Sequence, residues 1–312
     1  MVRNNIKNSN ILVTGGAGFI GSHLVDRLAQ DNNVIVLDNL IYGSLKNLEN
    51  SRHIFIKADL VDCDLLAIMR SYDIDLIFHL ASYHLDDSMK EPMKDFTISA
   101  LGGLRLLEAC RQHRVKRLVY TSTGSVYGQP KHMGHDESHD MLPTTPYGIS
   151  KATMDHYCRV YHQLFQMETV TLRYYNIYGP RRITGAIPQF IIRALRGKSI
   201  YIDGGEQTRT PTYVGDAVEA TYRAGCVEGI GGEIFNIAAA RHISIIDLAR
   251  MIVSMCKLEG KVTFNLKDYR PGEIMHLRPD VGHAKEKLGW EAEENLESGL
   301  SKMIDFIRAE HL

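Results

Sequence analysis

The sequence predicts an α/β protein with a doubly wound parallel sheet and a smaller, interleaved α/β domain. Three observations lead there. A short apolar run, Ile11-Leu12-Val13, breaks into the glycine turn Thr14-Gly15-Gly16-Ala17-Gly18-Phe19-Ile20-Gly21 and then into residues with helical apolar spacing. Further apolar runs of strand length alternate with amphipathic stretches, which implies parallel strands joined by right-handed crossovers. Far down the chain, Gly232-Glu233-Ile234-Phe235-Asn236-Ile237-Ala238 reads as one more buried strand, where the chain is expected to return to the first sheet.

Taken in order, Gly15, Gly18 and Gly21 allow a tight turn, close backbone approach to a pyrophosphate and close helix-on-strand packing. This is a Rossmann-type start, with phosphates expected at the helix amino terminus. The next run, Val34-Ile35-Val36-Leu37, ends in Asp38, whose carboxylate would accept ribose hydroxyls and repel a 2'-phosphate, favouring NAD over NADP. Strands are expected over Ile54 to Leu60, with Asp59-Leu60 placed to contact adenine, and over Asp75 to Ala81, where His79 reads as a satisfied core histidine. Cys63 to Ser71 and Phe96 to Gln112 read as helices, the second with Leu101, Leu104 and Leu107 on one face. Leu118-Val119-Tyr120 opens a strand that ends in Thr121-Ser122-Thr123-Gly124-Ser125-Val126-Tyr127-Gly128, hydroxyls crowding the sheet edge that ligands use.

Beyond residue 151 the pattern changes. Thr169 to Asn176 reads as a strand running into Ile177-Tyr178-Gly179-Pro180, with Arg181 and Arg182 behind it; Pro188 to Arg196 reads as a helix and Ser199 to Ile202 as a strand. Two late helices, Ile245 to Cys256 and Leu296 to Arg308, frame Arg270-Pro271-Gly272-Glu273 and Leu288-Gly289-Trp290. The expected division is a cofactor-binding domain of residues 1–172 and about 212–244, with a substrate-binding domain of 173–211 and about 245–312.

Composition narrows the function. A chain of 312 residues with 44% hydrophobic and 23% charged residues is ordinary globular material of about two domains. Its 36 basic and 37 acidic residues give a net charge of -1, no field that would gather nucleic acid or an anionic membrane. Five scattered cysteines imply buried thiols in a reducing compartment, and the 14 histidines show no metal-ligand spacing, so no metal is expected. The polar stretch Met1 to Asn10 lacks a signal-peptide core and no run is long enough to span a membrane, so the expected location is cytoplasmic.

The chemistry centres on Pro146-Tyr147-Gly148-Ile149-Ser150-Lys151. A tyrosine and a lysine at i and i+4 are neighbours on one helical face. A phenol with a reference pKa of about 10 is a poor base at neutral pH, but a cation beside it favours the phenolate. The pair is therefore a candidate proton mover.

With the glycine turn, Asp38, the Thr121 to Gly128 segment, Tyr147 with Lys151 and Tyr174-Tyr175-Asn176 all in order, the chain resembles the extended short-chain dehydrogenase/reductase family, specifically its nucleotide-sugar epimerases and dehydratases. Gln207-Thr208-Arg209, Arg270-Pro271-Gly272-Glu273 and Lys287-Leu288-Gly289-Trp290 extend the resemblance over nearly the whole chain. It implies catalysis by Thr123, Tyr147 and Lys151. It implies that NAD is held by Gly15, Gly18, Phe19, Ile20, Gly21, Asp38, Asn39, Asp59, Leu60, Leu80, Ala81, Tyr147, Lys151 and Tyr174. The substrate, a nucleotide-diphosphate sugar, would meet Ser88, Asn176, Arg209, Arg270 and Glu273, and the protein would be a homodimer through helices near 101–112 and 147–165.

Departures from the family pattern sharpen the reaction. Where 4,6-dehydratases place Asp-Glu after the threonine and decarboxylases place a glutamate before the Val-Tyr-Gly, this chain has Gly124-Ser125, which offer no carboxylate for general acid/base work. An Asp86-Asp87 pair precedes Ser88, Thr210-Pro211 follows Arg209, and Ser99 stands where asparagine is common. The expected activity is C4 epimerisation of a UDP-hexose or derivative through a 4-keto sugar. The alternatives are a dehydratase recruiting Asp86 or Asp87, a 4-ketoreductase, or a non-catalytic sensor of NAD or sugar nucleotides.

Overall fold

The Ile11-Leu12-Val13 run becomes the buried centre of a strand, β1 (Asn10–Thr14), in the computed structural model, which describes residues 5–311. Residues 1–4 of the polar stretch that begins the chain lie outside the described residues, as does residue 312. The strands that follow are β2 (Asn33–Asp38), β3 (Ile54–Lys57), β4 (Leu76–His79), β5 (Arg117–Thr123) and β6 (Thr169–Tyr174). Next come β7 (Ile177–Tyr178), β8 (Ile200–Asp203), β9 (Thr208–Arg209), β10 (Thr212–Tyr213), β11 (Ile234–Ile237), β12 (Ile243–Ser244) and β13 (Phe264–Lys267). The helices are α1 (Phe19–Leu28), α2 (Leu65–Ser71), α3 (Leu85–Ser88), α4 (Pro92–Asp95) and α5 (Gly102–His113). After these come α6 (Pro146–Phe165), α7 (Ala186–Leu195), α8 (Val214–Cys226), α9 (Ile245–Met255) and α10 (Leu296–His311).

Seven strands form one parallel sheet in the order β11-β6-β5-β4-β1-β2-β3. Helices cover both faces, so β1 and β2 are near-continuous apolar runs rather than alternating, and even the polar Thr169, Thr171 and Arg173 of β6 are buried. The order reverses between β1 and β4, and a crevice opens beyond their carboxyl ends, where Thr14 pairs in register with His79. Strand β11 closes the sheet against β6, so its outermost strand is drawn from late in the chain.

The second region is built on α7, α9 and α10, which enclose Phe190, Ile191, Leu248, Ile252, Leu300 and Ile307 with strands β8 and β13. Trp290, though it lies within 245–312, is buried in the core of the large sheet and donates its indole N–H to the Asp216 carbonyl at 2.9 Å.

Helix ends depart from the sequence reading for local reasons. α2 begins at Leu65 because Asp64 caps it, its Oδ1 accepting the Ala67 amide at 2.9 Å. The helix expected over Phe96 to Gln112 is two pieces, a wide π turn at Phe96–Leu101 and then α5. The helix expected from Pro188 starts at Ala186, directly after Gly185 at φ 92°. α6 matches its signals, with Thr145 capping the Gly148 amide at 3.1 Å and Pro146 in the first turn.

Candidate active site

A cleft of about 1930 Å³ runs from the glycine turn across the carboxyl edge of the sheet to the second region. At one end Gly15 sits at φ +71°, and a Cβ there would fall 2.6 Å from the Ala81 amide nitrogen. A Cβ on Gly21 would fall 2.2 Å from the Gly15 carbonyl oxygen, so this turn can be built only without side chains. Gly18 begins α1 with no side-chain cap, which leaves the helix amino terminus open to the cleft.

Asp38 ends β2 beside that turn, nearly buried, its two carboxylate oxygens accepting the Ala17 amide at 3.0 Å and the Leu40 amide at 2.8 Å. Burial pushes its pKa up, while the two amide bonds pull the other way. Asn39 donates to Asp59 at 2.8 Å, tying the ends of β2 and β3 together. Phe19, Ile20, Leu60, Leu80, Ala81 and Tyr174 complete this half of the cleft. An open helix terminus, a turn without side chains and a carboxylate one strand away fit a dinucleotide, with pyrophosphate at the first and ribose at the last.

Midway along the cleft, β5 and α6 bring Thr123, Tyr147 and Lys151 together. The Lys151 ammonium donates to the Thr121 carbonyl oxygen at 2.7 Å and lies 5.8 Å from the centre of the Tyr147 ring. Burial lowers its pKa to about 8, opposed by Asp155 and Asp95. The phenol differs from the sequence expectation. Burial raises the Tyr147 pKa to about 12, reinforced by Asp95 and opposed by Thr123 and then Arg182. Lys151 donates to Thr121 rather than to the hydroxyl, and Arg182 adds a second positive charge that favours the phenolate.

His79 is half of what was expected. Its Nδ1 lies 2.7 Å from the Thr14 hydroxyl, but its buried Nε2 has no partner among the described residues, and burial, with Lys151 nearby, lowers its pKa to about 3.

At the far end the anion-binding candidates are already paired with carboxylates. Arg209 forms an ion pair with Glu273, both largely buried, so the expected pyrophosphate and ribose contacts sit side by side. Arg270 bridges Asp203 at 2.8 Å and Asp86 at 3.3 Å, both through exposed contacts. Asn176 also lines the cleft, its backbone at φ 46°. Ser88 does not. It is fully buried, donates to the Leu85 carbonyl at 2.7 Å and accepts the Tyr147 amide at 3.3 Å, so it braces α6 from behind.

Three cleft residues, Arg182, Tyr42 and His84, had no role that the sequence assigned. Arg182 follows Arg181, which turns away to Asp26 at 2.7 Å, whereas Arg182 folds inward, donating to the Thr184 carbonyl at 3.0 Å and to the Ile177 carbonyl. Two adjacent arginines behind Gly179-Pro180 were the available signal. Tyr42 stacks on His84 with ring centres 3.5 Å apart and donates to Asp87 at 2.8 Å, a contact between distant loops that no local pattern announces.

The family model described as GDP-mannose 4,6 dehydratase matches residues 12–303. Among curated proteins, UDP-glucose 4-epimerase of Mycolicibacterium smegmatis is 36% identical over 309 residues, covering 95% of this chain and 98% of that protein. Among solved structures, UDP-N-acetylglucosamine 4-epimerase from Methanobrevibacter ruminantium M1 in complex with UDP-N-acetylmuramic acid superposes with a TM-score of 0.92 at 32% identity, covering 98% of this chain and 100% of that one. UDP-glucuronic acid 4-epimerase from Bacillus cereus, solved with UDP-glucuronic acid and NAD, gives 0.91 at 33% identity, covering 96% and 99%.

Proposed function

The chain belongs to the extended short-chain dehydrogenase/reductase family, and we propose that it is an NAD-dependent nucleotide-sugar epimerase that inverts C4 of a UDP-hexose or UDP-hexose derivative. One observation carries the choice of reaction. Thr123, Tyr147 and Lys151 share the middle of the cleft, while the two residues after Thr123, Gly124 and Ser125, bring no carboxylate to it. Asp86 and Asp87, the acids a dehydratase would need, are held by Arg270 and by Tyr42.

In this reading Thr123 holds the reacting sugar oxygen and Tyr147 takes the C4 hydroxyl proton, then returns it after the sugar has turned its other face. When bound, NAD supplies a hydride acceptor and, in its oxidised form, a positive charge beside the phenol. Lys151 orients the nicotinamide ribose. The protonated phenol, favoured here by burial, is the form that donates to a 4-keto oxygen on the return step. Asn176, Arg270 and the Arg209–Glu273 unit anchor the nucleotide diphosphate, a planar arginine fork suiting phosphate oxygens. Anchoring at that distance keeps the turning intermediate from leaving.

The finer assignments belong to the same proposal. Residues 1–172 and about 212–244 serve the cofactor, and 173–211 with about 245–312 serve the nucleotide sugar. Exposed Ile149, Val160 and Leu164 run along one side of α6, with Leu101 exposed ahead of α5, which supports a homodimer formed by these helices. No helix among the described residues is long and apolar enough to cross a membrane; the five cysteines are free, as in a reducing compartment, which supports a cytoplasmic protein.

The test is a panel of nucleotide sugars deuterated at C4, with products read by NMR and mass spectrometry. An epimerase returns a C4-inverted sugar of equal mass that keeps the label. A product lighter by one water, or one NADH consumed per turnover, would overturn the proposal.

A further inference from the structure

Behind the Tyr147 and Lys151 face of α6 lies a carboxylate that the reaction described above does not use. Asp95, at the end of α4, is fully buried. It accepts the Ser150 hydroxyl at 2.7 Å and the Ser99 hydroxyl at 3.0 Å. Ser150 immediately precedes Lys151, and Ser99 in turn accepts the Tyr83 amide at 3.0 Å in the segment after β4 that lines the cleft. Asp95 thus ties that segment to the helix carrying the reactive pair.

Its electrostatic situation is unusual. A buried carboxylate without a cation is costly, and removing one partner of a buried pair leaves the other charge uncompensated. The other carboxylate near Lys151, Asp155, already has a cation, since Arg173 binds it at 2.8 Å with both side chains almost wholly buried. Asp95 forms no such ion pair among the described residues. The buried cation whose field it shares is Lys151, one residue past its hydrogen-bond partner. The other ionisable groups around this cluster are Tyr147, Asp155 and Cys158 on α6, Tyr120 on β5, His79 on β4 and Arg182 in the loop before α7.

We propose that Asp95 is a positioning residue of the reaction, a buried carboxylate that, hydrogen-bonded to Ser99 and Ser150, holds Lys151 in place beside Tyr147 and faces its ammonium with a compensating charge. The inference rests on the roles proposed for Tyr147 and Lys151. Its direction is fixed by charge: the Asp95 carboxylate raises the pKa of both groups, so its removal lowers both.

The test follows the Lys151 side chain directly. Protein carrying lysine labelled with carbon-13 at Cε is titrated by NMR, and the Lys151 signal is identified by its loss in Lys151→Met. In the unaltered protein the midpoint should lie near 8. In Asp95→Asn it should fall by at least about one unit, the size of shift an opposite charge at short range produces. The decline of kcat above that midpoint should move to lower pH with it. A folded Asp95→Asn protein whose Lys151 midpoint is unmoved, with activity lowered at every pH, would overturn the proposal and leave Asp95 a structural residue.

Should Asp95→Asn not fold, the double variant Asp95→Ser with Ser99→Asp offers the same carboxylate from the next turn. Its Lys151 midpoint should stay with the unaltered protein, and a fall in that folded variant would equally overturn the proposal. The NMR midpoint requires no sugar substrate. A protein that turns over no nucleotide sugar would therefore refute the proposed function without deciding this one.

Discussion

The Lys151 ammonium donates to the Thr121 carbonyl at 2.7 Å, and this bond to the end of β5, rather than one to the Tyr147 hydroxyl, sets where its charge sits. Burial leaves that charge with a pKa of about 8. The ammonium is therefore lost as pH rises through that value, and both the bond to Thr121 and the positive field go with it. Turnover should hold below that pH and decline above it, and Lys151→Met should abolish the decline along with most of the activity. Steady-state rates measured on both sides of pH 8 check this.

Tyr147→Phe should lower turnover by at least about 10²-fold, the lower end of what a positioned acid/base group contributes, with NAD binding little changed. The half-buried ring stays in its place lining the cleft and only the hydroxyl beside Thr123 is removed. Comparison of turnover with NAD content of the purified variant decides the matter. Near-normal turnover would remove Tyr147 from the chemistry.

Asp38→Ala should narrow the preference for NAD over NADP, because the carboxylate at the end of β2 is what repels a 2'-phosphate. It should also weaken both cofactors somewhat, since the Ala17 and Leu40 amides lose their acceptors. Calorimetric titration of both cofactors is the measurement, and equal affinities in the unaltered protein would reject the role.

Arg270→Met should raise KM for the nucleotide sugar about tenfold with kcat nearly kept, the loss expected for a hydrogen bond to a charged group. Asp86→Asn should change KM less than about fivefold, because an exposed ion pair contributes only ~0–1 kcal/mol. The two variants measured side by side separate an anion-binding arginine from one that only bridges the cleft.

Asp155→Ala should destabilise the protein by about 3–5 kcal/mol, as it strands the buried Arg173 guanidinium without its carboxylate. Urea denaturation of the two proteins tests it, and a loss below about 1 kcal/mol would mean that Arg173 finds another partner.

What the sequence made legible was whatever depends on neighbouring residues. The glycine turn was readable because Gly15 and Gly21 occupy backbone positions that no side chain can share. Tyr147 and Lys151 were readable because one turn of helix separates them. Asp38 was readable because strand ends carry ligands in this architecture. Asp95 was silent because its partner Ser150 lies far along the chain and only the contact between two helices joins them. The pairing of Arg209 with Glu273 was hidden for the same reason, since each looked like a separate anion or ribose contact until the fold apposed them. The direction of the Ser88 hydroxyl, toward α6, was not legible because a hydroxyl in that segment can face either the cleft or the helix behind it.

Strand β11 pairs with β6, and Trp290 is buried in the same core. This has a consequence for synthesis. As the chain leaves the ribosome, the edge of β6 stays unsatisfied until residues 234–237 emerge, a wait of seconds at ~5–20 residues per second. A bare, apolar parallel edge invites pairing with other chains. The nascent protein is therefore expected to need a chaperone in this interval, and a fragment ending at residue 172 is expected to aggregate rather than fold as a free-standing unit.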